Sequence, residues 1–321
     1  MSTANEPERL TVGMAQIAPV WLDREQTLVK ILDYAGKAAQ AGCDLVVFGE
    51  GVLPGYPFWI ERTHGAEFNS PLQKEFHAHY LANAVQIEAG HLDGLCKLAQ
   101  DNQLAVYLGC IERPADRGGH SVYPSLVYID PHGAIQSVHR KLMPTYEERL
   151  TWSTGDGHGL RTHRLGSFTV GGLNCWENWM PLARAALYGL GEDLHIAVWP
   201  GSDRNTRDIT RFMALESRSY VVSVSGLMRS RDFPENTPHR DAIAGNTSET
   251  LANGGSCIAG PDGEWIVEPV VDEESLVVSS LDFNRVREER QNFDPAGHYS
   301  RPDVLQLTVN RQRQSTIQIV D

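Results

Sequence analysis

Phe168-Thr-Val-Gly-Gly-Leu-Asn-Cys-Trp-Glu-Asn-Trp-Met-Pro-Leu182 changes character at Cys175. Before it, Phe168 to Leu173 is a short apolar run that predicts a buried strand. After it, from Pro181, the apolar residues Leu182, Ala185 and Ala186 fall at helical spacing and stop at Gly189 and Gly191, a C-terminal signal. A cysteine between a strand end and a helix start is held on a tight bend. Backbone N–H groups and the positive end of the helix dipole lie nearby, and both favour thiolate over thiol. This mounting suits a nucleophile; a small buried hydrophobe is the other reading of the same residue.

The pattern repeats outward from this unit. Leu10-Thr-Val-Gly-Met-Ala-Gln16 predicts a first strand, residues 25–41 an amphipathic helix closed by Gly42, and Asp44-Leu-Val-Val-Phe48 a second buried strand. Residues 71–102 read as one long helical stretch, followed by the strand Leu104-Ala-Val-Tyr-Leu-Gly-Cys110. Residues 125–129 and 134–138 flank Asp-Pro-His-Gly and predict a hairpin. Past Cys175 come the strand Asp193-Leu-His-Ile-Ala-Val198, a helix over 208–219, a strand over 220–226, a hairpin around Pro261-Asp-Gly263 and the strand Leu276-Val-Val-Ser-Ser-Leu281. Residues 229–254 are polar and rich in Asn, Pro, Thr and Ser, which predicts a long excursion outside the core. Alternating strands and helices interrupted by hairpins imply a layered α/β sandwich with mixed sheets. One domain over residues 1–283 and a polar tail over 284–321 are expected.

Composition narrows the function. The 321 residues are 41% hydrophobic with a formal net charge of -13, and no Lys/Arg cluster exceeds two residues, which disfavours nucleic acid as a partner. No uncharged stretch reaches membrane-spanning length and the first residues lack an export signal, so a cytoplasmic location and no membrane partner are expected. Five cysteines, an odd number without metal-ligand or C-x-x-C spacing, agree with a reducing compartment. His77-Ala-His79 has no further ligands nearby and reads as a polar helix face, so no metal is expected.

Three other strands end in a distinctive residue. Leu45-Val-Val-Phe-Gly-Glu50 ends in a carboxylate, Ile135-Gln-Ser-Val-His-Arg-Lys141 in an ammonium and Ile196-Ala-Val-Trp-Pro-Gly201 in an aromatic. Residues just past strand ends line the crevice of α/β folds. A carboxylate, an ammonium and a thiol would then share one pocket. Glu50 could take the thiol proton, Lys141 could stabilise the charge that develops on the attacked group, and Cys175 could attack. The competing reading is a buried Glu–Lys ion pair beside an inert thiol.

Glu50 in Phe-Gly-Glu-Gly-Val-Leu-Pro-Gly-Tyr-Pro-Phe-Trp, Lys141 in His-Arg-Lys-Leu-Met-Pro-Thr and Cys175 in Leu-Asn-Cys-Trp-Glu-Asn-Trp-Met-Pro-Leu resemble the Glu-Lys-Cys triad of the nitrilase superfamily. The likeness runs from Thr11 to about Val309. Cys-Trp-Glu is similar to the true nitrilase branch, where amidases and carbamoylases usually carry Cys-Tyr-Asp, and Gly297-His-Tyr-Ser-Arg-Pro-Asp303 resembles that branch's C-terminal motif. The resemblance implies a four-layer αββα sandwich, hydrolysis of a small-molecule nitrile without a cofactor, and homo-oligomers from dimers to spirals or filaments. Pro144-Thr-Tyr-Glu-Glu-Arg149 resembles Pro-Thr-x-x-Glu-Arg, whose register puts a fourth catalytic residue at Glu148 and leaves Glu147 a solvated charge. Tyr56, Thr145, Trp152, Trp176 and Trp199 fall where the family lines its substrate pocket, while Glu216 reads as structural. An amide or carbamoyl hydrolase, a cyanide hydratase and a non-enzymatic filament protein are the alternatives.

Overall fold

The computed structural model describes residues 8–245, 249–317 and 319–320. Its strands are β1 (Arg9–Gln16), β2 (Leu45–Leu53), β3 (Ala105–Glu112), β4 (Tyr123–Ile129), β5 (Ile135–Arg140), β6 (His163–Leu165), β7 (Phe168–Asn174), β8 (Leu194–Trp199), β9 (Tyr220–Ser225), β10 (Leu227–Arg229), β11 (Thr250–Ala259), β12 (Trp265–Val271) and β13 (Ser275–Asp282). They form two mixed sheets. The first has the order β13-β1-β2-β3-β4-β5, and the second β10-β11-β9-β8-β7-β6 with β12 also on β11. β1, β2 and β3 run parallel, as do β7, β8 and β9; hairpins and returning strands complete each sheet antiparallel.

The period-two alternation of strands assigns each residue to a layer. Leu45 and Val47 of β2 face the second sheet and meet Ile196, Val198 and Val222 in the central core. Val46 and Phe48 face outward and pack under the helices Arg24–Gln40 and Asp93–Asn102. The second sheet does the same: Trp199 and Val221 pack under the helix Asp203–Ser217, and Leu173 under the helix Pro181–Gly189. Strands covered on both faces read as unbroken apolar runs, which is why β2, β3 and β8 are conspicuous in the sequence. The result is an αββα sandwich. Removing a central side chain such as Phe168, fully buried between the sheets, by substitution to Ala would cost about 3–5 kcal/mol.

Two expectations need correction. Residues 71–102 are not one helix: Pro71–Asn83 and Asp93–Asn102 are separate. Val85 leaves the first helix because its N–H bonds to the Ile111 carbonyl and its own carbonyl accepts from Arg113, pairing it with the end of β3. Residues 229–254 are not wholly outside the core either. Among the described ones, Phe233, Ile243 and Ala252 are buried with Trp21 and Trp59, and β11 begins at Thr250. The polar residues around these anchors mask them in the sequence.

Candidate active site

Glu50, Lys141 and Cys175 reach one point from three strands. Glu50 lies in β2 after its parallel pairing with β3 breaks at Phe48. A Cβ at Gly109 would sit 2.1 Å from the Gly49 oxygen and 2.7 Å from the Glu50 Cα, so only glycine lets β3 pass so close. Lys141 follows β5. Its N–H donates to the Pro124 carbonyl and its carbonyl accepts from Gly155, at 2.8 Å each. Cys175 follows β7 and opens a short 3-10 turn over Cys175–Trp179 with φ 49°, the left-handed region that L residues adopt at a cost of about 1–2 kcal/mol.

A second 3-10 turn, Tyr146–Leu150, completes the cluster. Its third residue is Glu148, whose Oε2 accepts from the Thr145 N–H at 2.6 Å and from the Lys141 ammonium at 2.7 Å, while Tyr56 donates to Oε1 at 2.9 Å. The ammonium also lies 2.8 Å from Glu50 Oε1. That contact is close but poorly aligned, and neither Glu50 oxygen accepts a well-formed hydrogen bond from the described residues. The Cys175 sulfur and one oxygen each of Glu50 and Glu148 lie within 4.8 Å of one another. By distance these donors would suit a cation, and the Lys141 ammonium already fills that role.

Every member is buried, and burial sets the protonation of Glu50 and Cys175 while neighbouring charges set that of Lys141. Burial pushes Glu50 up to about 8 against the pull of Lys141, with Glu148 adding to the rise. Burial would lower Lys141, but Glu50, Cys175 and Glu148 hold its ammonium well above the usual range. Burial and then Glu50 raise the Cys175 thiol well above its ordinary value. Lys141 and the Trp176 N–H pull the other way, as expected of a turn start, but burial outweighs them and the resting sulfur is a thiol. A thiol held in this state could attack only with a base beside it, and Glu50 is a carboxyl poised to gain or lose a proton near neutral pH.

Glu177 is a structural partner that sequence reasoning missed. It accepts from the Asn174 N–H at 2.8 Å, from the Leu142 N–H and from His139 Nε2 at 3.1 Å. Burial opposes its charge, yet His139 and these N–H donors hold it below the usual carboxylate range. One carboxylate thus ties the Lys141 segment to the Cys175 turn. The capping-box spacing Asn-x-x-Glu over Asn174–Glu177 is the signal that could have found it.

The cluster opens into a cleft of about 240 Å³ lined by Tyr56, Phe58, Glu61, Thr145, Glu147, Glu148, Cys175, Trp176, Pro200 to Asn205 except Asp203, Leu251 and Ala252. Tyr56, Thr145 and Trp176 thus face the cleft. Trp152 lies behind it, with its ring 5.3 Å from the Lys141 ammonium, edge-on to Tyr56, and its N–H on the Tyr80 hydroxyl. Trp199 is fully buried under the helix Asp203–Ser217, and the residues just beyond it, Pro200 to Ser202, face the cleft instead. Glu147 is not simply solvated. It lies at the cleft mouth beside Glu61, whose carboxyl is raised to about 7 by a hydrogen bond shared with Glu147 and by burial.

Known proteins share this arrangement of sequence and fold. The carbon–nitrogen hydrolase family profile matches residues 11–291. The chain is 36% identical to "Nitrilase 2" of an unknown prokaryotic organism, over 96% of this chain and 95% of that protein. It is 34% identical to an aliphatic nitrilase of Sinorhizobium fredii (96% and 98% covered) and 30% identical to an arylacetonitrilase of Macrophomina phaseolina (96% and 93%). In fold it is similar to a carbon–nitrogen hydrolase of Helicobacter pylori, with TM-score 0.69 and 18% identity over 92% of this chain and 96% of that one. It is also similar to an amidase from Nesterenkonia sp., with TM-score 0.62 and 18% identity over 91% and 97%. A profile match across most of the chain, with relatives of this identity over nearly their whole lengths, places the protein in the carbon–nitrogen hydrolase family, among its nitrilases.

Proposed function

We propose that this protein hydrolyses a small organic nitrile to the carboxylic acid and ammonia, with Cys175 as nucleophile. The observation that carries the reading is a buried thiol within 4.8 Å of two carboxylates grouped around one ammonium, at the bottom of a cleft of small-molecule size. Glu50 takes the thiol proton as the sulfur adds to the nitrile carbon, and that proton passes to the nitrogen to give a thioimidate. Lys141 and the Trp176 N–H stabilise the nitrogen as its charge develops. One water adds, ammonia leaves and a thioester remains; a second water, activated by Glu50, releases the acid and restores the thiol. Glu148 holds the ammonium in place and keeps Glu50 basic. Tyr56, Thr145 and Trp176 border the substrate, with Trp152 and Trp199 as a second layer.

A panel of aliphatic, aromatic and arylaceto nitriles with their matching amides, quantifying acid, amide and ammonia, tests this. Nitrile turnover to acid, with a covalent adduct on Cys175 by intact mass after quenching, is the expected result. Hydrolysis of the amides alone would make the protein an amide hydrolase with the same cluster, and no turnover of either would sink the reading. We further infer a homo-oligomer. Support comes from exposed apolar side chains on Trp179, Met180 and Leu182 beside the Cys175 turn and on Leu305, Leu307 and Ile317 in the tail. A fully active monomer in light scattering would refute it.

A further inference from the structure

Asn178 sits three residues past Cys175 in the same turn and is fully buried. Its side-chain amide donates to the Cys175 carbonyl at 2.8 Å and lies 3.4 Å from the Leu173 carbonyl. Its Oδ1 is 2.7 Å from His195 Nε2, and both oxygens of Glu192 lie 3.0 Å from His195 Nδ1. The opposite amide orientation would aim Oδ1 at two carbonyl oxygens, so the network itself assigns the one described. Nε2 of His195 must then carry a hydrogen. The Nδ1 side of the ring faces Glu192, and the Nε2–H points at Asn178. A Cβ at Gly171 would lie 2.2 Å from a Glu192 oxygen, so β7 leaves room for this carboxylate. The Asn178 carbonyl is held too: it accepts from Arg184 at 2.7 Å, and Arg184 is gripped by Glu216 at 2.7 and 3.1 Å. Glu192 and His195 are buried, yet they touch neither the cleft nor the Glu50–Lys141–Glu148 cluster.

In a trans peptide the C=O and the following N–H point to opposite sides. Drawing the Cys175 carbonyl toward Asn178 therefore swings the Trp176 N–H the other way. That N–H acts on the Cys175 sulfur in the direction that favours its anion. We propose that Glu192, His195 and Asn178 form a positioning relay that fixes the Cys175–Trp176 peptide and so presents the Trp176 N–H to the charge that develops during attack. The proposal rests on the reading of Cys175 as nucleophile given above. The three are positioning residues, since none reaches the substrate. They act on a backbone held at positive φ, where a peptide plane without such an anchor would relax.

The full-length protein tests this with three variants against one nitrile it turns over. Asn178→Asp keeps an oxygen for His195 but sets a carboxylate oxygen against the Cys175 carbonyl. It is expected to lower kcat about tenfold or more with KM within about threefold, because losing one aligned backbone donor typically costs that or more. In a Glu192→Gln background, which leaves no unpaired buried carboxylate, His195→Gln retains an N–H donor for Asn178 and His195→Leu does not. The Leu variant is expected to lose about tenfold in kcat, and the Gln variant to recover most of it. Equal kcat for the two would overturn the relay, as would Asn178→Asp within about twofold of wild type. A general structural role would raise KM and lower thermal stability together and would leave the two double variants alike. A wild-type enzyme without a Cys175 adduct would instead remove the nucleophile reading, a different failure from one in which wild type forms the adduct and the relay variants keep full kcat.

Discussion

The turn that follows β5 and the turn that follows β7 share one backbone design. In each, a glutamate reaches back to accept from the N–H of the residue before the turn, Thr145 and Asn174. Each places its first residue at positive φ, Tyr146 at 44° and Cys175 at 49°, and each buries a glutamate at the third position, Glu148 and Glu177. Their surroundings differ. Tyr146 is 81% exposed and Cys175 is 2% exposed. Glu148 accepts from an ammonium and a phenol that belong to the cluster, whereas Glu177 accepts from a histidine and a strand-end N–H that fasten two segments together. A local motif therefore sets where a carboxylate and a leading side chain point, and the neighbours brought by the fold decide whether that is chemistry or carpentry.

If the sulfur is what separates the leading residues, Cys175→Ala must abolish nitrile turnover while leaving thermal stability close to wild type. Tyr146→Ala should keep kcat within about threefold. Turnover retained by Cys175→Ala would erase the distinction. The next effect is on pH. With Glu50 raised to about 8, its base form grows as pH rises, so kcat/KM should climb about tenfold per unit toward pH 8 and level off above it. Since Glu148 is one cause of that rise, Glu148→Gln should move the limb to lower pH; an unmoved limb in a pH–rate profile would show that another group controls it. At its plateau, Glu148→Gln is expected to lower kcat about tenfold, against less than about threefold for Glu147→Gln. The reverse pattern in steady-state kinetics would assign the catalytic register to the neighbouring residue.

Glu177 should answer to a different assay. Glu177→Gln turns an amide N–H₂ toward donors and is expected to cost about 1–3 kcal/mol in urea unfolding, with a smaller effect on kcat than Glu148→Gln. Its carboxylate is held below the usual range in the folded state, so the stability it contributes is complete above about pH 4.5 and is lost as pH falls through the folded value. The variant should lack that acid-sensitive part. A loss of turnover larger than that of Glu148→Gln, with stability intact, would make the two glutamates alike after all.

Much of the fold and of the site is legible in the sequence. Leu45-Val-Val-Phe48 and Ile196-Ala-Val198 are unbroken apolar runs because both their faces are covered, and that marks central strands. The turn residues stood out because charge and sulfur follow such runs abruptly. What escaped depends on contacts distant in sequence. Trp199 is the last strand residue and faces a helix, so the cleft falls to Pro200–Ser202, and one step along a strand reverses the side. The resting thiol was hidden because the N–H groups of the turn are local, while the burial that outweighs them comes from the whole sandwich. Glu192 and His195 carry no motif, and only the packing of β7 against β8 brings them to Asn178.

The place of β13 bears on how the chain is made. β1 pairs with β2 on one side and with β13 on the other, and Arg9 meets Asp282 across 273 residues. At about 5–20 residues per second, a ribosome needs on the order of tens of seconds to deliver that second neighbour. Until then the first strand has an open hydrogen-bonding edge and an apolar face ready to pair with another chain. The first strand therefore stays open to misassembly until β13, the last of the described strands, has been made.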